Sequence, residues 1–316
     1  RTCFYSRSSM METINSTSSI VFPESDYLNV TDQIGQKLSR LTLGLPATNI
    51  LGTMDRNIRE IVYDSRKSGP DSLFVAVPGE NCDGGAFIKN SIDKGASAFI
   101  TETSLDSLSG FDLGSLDVTA LCVKDARRAL SAVSANFYHR PSERLSLTGI
   151  TGTNGKTTTA YILEALFRAQ GARTGVVGTI NYHYGDKELS APVTTPESLD
   201  LNRMLDEMIK DEIINCFLEV SSHALQQSRV HDMHFKAGIF TNLSRDHLDF
   251  HVDMESYKNA KKKLFLDNHV QWKVFNIDDP VGREFSGEFK KNSFTTGIHS
   301  NADFKAEDIA LTKAGS

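Results

Sequence analysis

Residues 149–162 read GITGTNGKTTTAYI, and two glycines, a lysine and a threonine set the chemistry open to them. A common phosphate-binding loop reads G-x-x-x-x-G-K-[ST]. Counting back five positions from Gly155 reaches Ile150; the glycine stands at 152, giving the shorter G-x-x-G-K-T. A buried strand that turns through Gly152, Thr153, Asn154 and Gly155 into a helix aims backbone N–H groups and the helix dipole at one spot, which favours phosphate. Lys156 adds a point charge for β- and γ-phosphates, and the Thr157 hydroxyl, with Thr158 beside it, can ligate Mg2+. The competing reading is a tight turn with an incidental lysine.

Three further stretches carry candidate chemistry. FLEVSSHAL, 217–225, puts Glu219 at the end of an apolar run. A carboxylate there is either a metal ligand or a satisfied edge charge; beside a phosphate loop, Mg2+ calls for a carboxylate. FTNLSRDHLDFHVDMESYKNAKKKLF, 240–265, crowds Asp246, His247, Asp249 and His251 into one junction. His247 and His251 have the spacing of a zinc pair, but the glutamate of H-E-x-x-H is absent. By itself KNAKKK reads as a solvated helix face, and TTP at 194–196 as a turn.

These residues need a scaffold, and the pattern supplies one in two parts. Leu28, Val30, Ile34, Leu38 and Leu41 fall at helical spacing and predict a helix over 28–44. Strands follow at REIV, SLFVAV and SAFITE, with a helix in FIKNSIDKGA closed by Gly95. DARRALSAVSANFYHRP is an amphipathic helix that must stop before Pro141, and Pro141 with SERL is the linker. The pattern then restarts. RLSLTGI is a strand, and KTTTAYILEALFRAQG is a helix with Ile162, Ala165, Leu166 and Ala169 on one face, ended by Gly171. TGVVGTI, INCFLEVSS, KAGIFTNLS and WKVFNID are further strands. Strands alternating with helices predict an α/β fold with a parallel sheet covered on both faces and ligands at the strands' C-terminal ends. The expected divisions are a poorly ordered leader, 1–27, a first domain, 28–140, and a second, 141–316.

The 316 residues allow two domains, and 39% hydrophobic with 23% charged residues is ordinary globular composition. A net charge of −6 argues against a nucleic-acid or membrane-surface binder. No apolar run approaches the roughly 18–20 residues that span a bilayer. Cys3, Cys82, Cys122 and Cys216 are scattered without a C-x-x-C pair, which suits a reducing compartment. Residues 1–20 are Ser/Thr-rich and poor in acids; they read as an untidy N-terminus or as an organelle transit peptide.

GTNGKTTT, TTPE, EVSSHALQQSRV, FTNLSRDHLDFH and YKNAKKKLF occur in the order and spacing of the Mur ligases. They resemble most the MurE type, which adds the third residue to the peptidoglycan stem. DSR at 64–66 and LFVAVPGENCDG at 73–84 fit as well, so the resemblance spans about residues 45–316. The short loop is this family's form. The resemblance implies an N-terminal α/β domain holding a UDP-sugar and a P-loop, doubly wound central domain, here incomplete. The family's third, Rossmann-like domain, which holds most of the amino-acid pocket, is expected to be absent.

The implied activity is an ATP-dependent amide ligase of cell-wall synthesis, cytoplasmic in a bacterium, with a plastid as the alternative. It uses ATP and Mg2+ and joins UDP-MurNAc-dipeptide to a diamino acid, diaminopimelate or lysine. The peptide carboxylate attacks the γ-phosphorus, and an amine displaces phosphate from the acyl phosphate. Positioning and charge neutralisation dominate such transfers, which suits Lys156 and Mg2+ on Thr157 and Glu219. His247 maps onto a ligand of a second Mg2+, and Lys261 onto a lysine carbamylated by CO2 (N6-carboxylysine). Lys258, Lys262 and Lys263 have no counterpart and are expected in solvent. Tyr63, Ser65, Glu80, Asn81 and Cys82 map onto the nucleotide end of the substrate. Thr194, Thr195, Ser221, Gln227 and Arg229 map onto its sugar and diphosphate, and Asn276 of NIDD onto an ATP-base contact. A monomer is expected, and 1–316 alone is expected to be inactive. The competing readings are a non-catalytic binding or scaffold protein of ligase fold, and a MurF or folylpolyglutamate-type ligase. Lys156, Glu219, His247 and Lys261 together favour a ligase; TTPE and SRDHLDFH favour the MurE type.

Overall fold

The computed structural model describes residues 35–79, 83–104, 107, 117–246 and 251–309. The chain first forms β1 (Gln36–Lys37), α1 (Leu38–Leu41), β2 (Ala47–Leu51), β3 (Asn57–Ile58), β4 (Glu60–Val62), β5 (Ser72–Val75), α2 (Ile88–Asp93), β6 (Ala98–Thr101), β7 (Thr119–Val123) and α3 (Ala126–Phe137). Strands β5, β6 and β7 are buried along their whole length, as continuous apolar runs in a parallel sheet must be. Their sheet runs β2-β7-β6-β5-β4, parallel except for β2.

The helix expected over 28–44 is reduced in its described part to the single turn α1; residues 28–34 lie outside the described residues. Leu38 and Leu41 are buried as their spacing suggests. However, β1 pairs with β3, the Leu38 N–H goes to the Arg56 carbonyl, and Gly44 at φ 79° turns the chain. Tertiary pairing limits the helix to one turn.

The second half runs β8 (Ser146–Thr151), α4 (Lys156–Ala169), β9 (Thr174–Val177), β10 (Asn181–Tyr184), β11 (Lys187–Ser190), α5 (Ser198–Lys210), β12 (Asn215–Glu219), α6 (Ser222–Gln226), β13 (His234–Phe240), α7 (Met254–Leu266), β14 (His269–Asn276), α8 (Pro280–Glu288), β15 (Ser293–Gly297) and β16 (Phe304–Lys305). The sheet order is β11-β10-β9-β12-β8-β13-β14-β15-β16. It is parallel from β9 to β16, but β10 and β11 add an antiparallel hairpin at the edge, turned at Gly185. Side chains alternate between faces. Leu147, Cys216, Leu218 and Phe240 join a core with α5, α7 and α8, while Ile150, Phe217, Val176 and Ile239 pack beneath α4.

One expected face is reversed. Ile162 and Leu166 of α4 are each 55% exposed, whereas Ala160 and Glu164 are buried. Helical spacing identifies a stripe but not the side that meets the sheet. Here Tyr161 and Leu163 pack against Ile150 and Val176, and buried Glu164 is satisfied by His183 Nε2 at 2.8 Å and Arg168 Nη2 at 3.0 Å.

Strand β8 lies between β12 and β13. The connection from β12 to β13 therefore passes from one side of β8 to the other, and such a switch point opens a crevice at the strands' C-terminal ends.

Candidate active site

Strand β8 delivers the chain into that crevice at Gly152. This residue has φ 147°, and a Cβ there would lie 1.9 Å from Thr241 Oγ1, so only glycine lets the loop lie against the end of β13. Gly155, at φ 86°, starts α4. The loop is pinned from β13: Thr153 N–H donates to the Asn242 carbonyl at 2.9 Å, and Asn154 N–H to Asn242 Oδ1 at 3.0 Å. Thr241 Oγ1 donates to the Asn154 carbonyl at 2.7 Å, and Ser244 N–H to Thr153 Oγ1 at 3.0 Å. Sequence reasoning missed this support, although TNLS follows an apolar strand just as the loop does.

Lys156 folds back over the loop, donating to the carbonyls of Gly152 (3.0 Å) and Thr153 (2.9 Å). Burial lowers its pKa, opposed by the charges of Glu219 and Asp246. Thr158 is exposed on the first turn of α4.

Glu219, at the end of β12, is fully buried. Its Oε2 accepts from Thr157 Oγ1 at 2.9 Å and Thr179 Oγ1 at 3.0 Å, and its Oε1 from Thr179 N–H at 2.9 Å. A hydroxyl and a carboxylate oxygen thus meet beside the glycine loop. Such hard oxygen donors suit Mg2+, which takes one or two protein ligands and fills its shell with phosphate and water. Among the described residues no three His, Cys, Asp or Glu side chains form a metal cage. His247 lies outside the described residues. His251 is buried with Nε2 2.9 Å from Ser222 Oγ.

The lysine run of α7 divides. Lys258 pairs with Glu255 and Glu284, Lys262 with Glu288, and Lys263 Nζ donates to Gln226 Oε1. These three are half-buried rather than free in solvent: acids of α7 and α8 hold Lys258 and Lys262, and the Gln226 amide of α6 holds Lys263. Lys261 turns inward. It is 1% exposed, its Nζ donates to the Gly152 carbonyl at 2.8 Å, and it lies 4.4 Å from the centre of the Tyr257 ring. Burial, aided by the Lys156 charge, pulls its pKa down to about 6. Tyr257 also meets Thr153, hydroxyl to hydroxyl, at 3.2 Å.

The residues expected at the sugar and diphosphate are brought together. Thr195 Oγ1 donates to the Glu219 carbonyl at 2.8 Å and accepts from Ser221 N–H at 3.0 Å. Thr194 Oγ1 is 3.1 Å from Thr179 Oγ1. Arg229 donates from Nη1 to the Thr195 carbonyl (2.8 Å) and from Nη2 to Gln227 Oε1 (2.6 Å). From the first sheet, Tyr63 donates its hydroxyl to Asp200 Oδ2 at 2.7 Å; burial, then this contact, raises its pKa. Ser65 is buried in the turn after β4. Glu80, Asn81 and Cys82 lie outside the described residues. Asn276 sits at the end of β14, but its amide is engaged by the fold: Nδ2 donates to the Thr241 carbonyl, and Oδ1 accepts from Asp278 N–H.

Known proteins share this sequence and fold. The description "Mur ligase middle domain" matches residues 150–316, and "Mur ligase family, catalytic domain" matches 57–138. A UDP-N-acetylmuramoyl-L-alanyl-D-glutamate--2,6-diaminopimelate ligase of Alkaliphilus metalliredigens (strain QYMF) is 42% identical over 279 residues, 87% of this chain and 55% of that protein. Its namesake in Clostridioides difficile (strain 630) is 40% identical, covering 88% and 56%. A solved structure with the same enzyme name superposes with a TM-score of 0.75 at 25% identity, over 89% of this chain and 56% of the other. A MurF structure from Acinetobacter baumannii, at TM-score 0.57 and 19% identity, shares the fold. The chain spans a little over half the length of the curated relatives it matches. With a family description matching more than half of its residues, the chain belongs to the Mur ligase family.

Proposed function

We propose that this chain carries the ATP and UDP-sugar sites of a MurE-type amide ligase, which adds a third amino acid to UDP-MurNAc-L-Ala-D-Glu. The names of the relatives favour 2,6-diaminopimelate as that residue over lysine. The observation that carries the reading is the junction of Glu219 with Thr157 beneath the glycine loop, 2.9 Å apart, with Lys156 folded over the same loop. A scaffold protein has no need of a fully buried carboxylate aimed at a phosphate loop.

In this reading the loop amides and Lys156 bind and orient the triphosphate, and Thr157 and Glu219 hold Mg2+. When bound, Mg2+ neutralises charge on the phosphate oxygens and polarises the γ-phosphorus. The D-glutamyl carboxylate forms the new O–P bond as ADP leaves. The amine then forms the C–N bond as phosphate leaves, and the ammonium proton is released. Thr195, Ser221 and Arg229 hold the sugar diphosphate, with Tyr63 on the nucleotide side. Lys261, poor in charge because it is buried, takes up CO2: its nitrogen bonds to carbon and a proton leaves. The remaining N–H can still donate to the Gly152 carbonyl. His247 and Asn276 belong to the same proposal as a second metal ligand and an ATP-base contact.

Calorimetry with MgATP tests the central point. Wild type is expected to bind, and Lys156→Ala to bind at least about tenfold more weakly, as for loss of a charged contact worth ~1.5–3 kcal/mol. Equal affinities would remove the loop from the nucleotide site.

A further inference from the structure

The seam between the two sheets holds a charge cluster that the roles above leave unexplained. Arg127, in the first turn of α3, donates from Nη2 to the Pro78 carbonyl at 2.9 Å and from Nη1 to Glu197 Oε2 at 3.4 Å. Arg229 Nε, from beyond α6, lies 3.5 Å from the same oxygen. That Nε is buried and finds no hydrogen-bond partner among the described residues. Glu197 Oε1 accepts from Ser198 N–H at 3.1 Å, which fixes the carboxylate at the start of α5. The side chains of Arg127, Glu197 and Arg229 are 23%, 16% and 18% exposed. The neighbouring acid, Asp200, is already held by Tyr63 at 2.7 Å and Arg203 at 3.1 Å. Two guanidinium groups thus share one carboxylate oxygen at long range, which leaves this triad with one positive charge in excess.

We propose that Glu197 is a positioning residue for the UDP-sugar, acting through Arg229 and assisted by Arg127. The inference rests on the substrate reading above. Arg229 is tied at two nitrogens to Thr195 and Gln227, and Glu197 supplies the third restraint, which orients the plane of the fork. Arg127 links that carboxylate to Pro78, at the root of the loop leading to residues 80–82. One charge therefore sets the fork from the second domain against the nucleotide-binding side of the first. Without it, two like charges face each other in a partly desolvated seam, where repulsion is weakly screened.

The alternative is that Glu197 merely caps α5. Glu197→Gln separates the two, because it keeps the cap acceptor and the shape while removing the charge. Calorimetry of the 1–316 chain with UDP-MurNAc-L-Ala-D-Glu, and separately with MgATP, reads the difference. Glu197→Gln is expected to weaken the UDP-sugar about tenfold, the equivalent of ~1.4 kcal/mol, with MgATP affinity within about twofold of wild type. Arg127→Met is expected to do the same, Arg127→Lys to recover part of the loss, and the double variant to lose little more than either single one, as members of one unit do. If wild type binds the UDP-sugar and Glu197→Gln binds it equally, the inference fails and the substrate reading stands. An equal fall in MgATP affinity would mark a general structural role and also overturn it. A folded wild type that does not bind the UDP-sugar removes the substrate reading, and this inference with it.

Discussion

Lys261 shows how a single side chain reports on its surroundings. Folding lowers its pKa from 10.5 to about 6, with burial as the main cause. Between those values the unfolded chain holds a proton that the folded chain lacks, so stability rises with pH across the window and is lowest and flat beneath it. Lys261→Met removes the titration and leaves the Gly152 carbonyl bonded to Lys156. In CO2-free buffer, urea titrations at pH 7, 8 and 9 are expected to show wild type gaining on the variant by up to ~1.4 kcal/mol per pH unit. Parallel pH dependences would mean that the lysine is not desolvated. The same chemistry makes the amine available to CO2. With 13C-labelled bicarbonate, wild type is expected to show a carbamate NMR signal that Lys261→Met lacks.

At the scale of elements, α4 separates what spacing reveals from what it hides. Its start at the glycine loop and its end at Gly171 follow from local chemistry that any reader of the sequence can see. The buried side does not, because Glu164 is held in place by Thr174 and His183, residues of later strands. Glu164→Ala is expected to cost about 1–3 kcal/mol by leaving those groups unpaired. Ile162→Lys combined with Leu166→Glu should change stability by no more than about 0.5 kcal/mol, as for other surface changes. The opposite ranking in urea unfolding would restore the apolar stripe to the core. The site was legible to the same degree. Gly152, Lys156 and Glu219 are marked by residue type and by position at strand ends. Lys261 was marked only by resemblance, since nothing local distinguishes it from three neighbouring lysines. Thr179 lies outside every motif, and Glu197 and Asn242 sit inside TTPE and FTNLSRDHLDFH with nothing local to name their partners, because those contacts join segments distant in sequence: Thr179 with Glu219, Asn242 with the glycine loop, Glu197 with Arg127 and Arg229. In the β10–β11 hairpin the signal is divided: β10, NYHY, alternates buried tyrosines with polar residues before the Gly185 turn, but β11, KELS, is exposed throughout and has no apolar face to mark it.

On the scale of the whole molecule, the question is whether the two sheets unfold together. Interfaces between domains of one chain are commonly modest and polar, so independent melting is the default expectation. Several contacts argue otherwise here. Leu199, in the first turn of α5, packs against the core formed by β5, β6, β7 and α3. Ser131 of α3 donates to the His231 carbonyl at 2.9 Å, and Arg140 Nη2 reaches Asp232 at 3.2 Å. Residues from Gly35 onward cluster as a single compact unit. Calorimetry of the wild-type chain is therefore expected to give one transition whose van't Hoff and calorimetric enthalpies agree, the criterion for two-state unfolding. Leu199→Asp places an unpaired charge in the shared apolar contact, which is strongly unfavourable while the two halves stay packed. The variant is expected to show two transitions, with the second domain keeping its MgATP response because the side chains of Lys156, Glu219 and Lys261 are held by contacts within that domain. Two resolved transitions in wild type would show that α3 and α5 touch without coupling, whereas a single lowered transition in Leu199→Asp would show coupling spread over the whole seam rather than concentrated at this leucine.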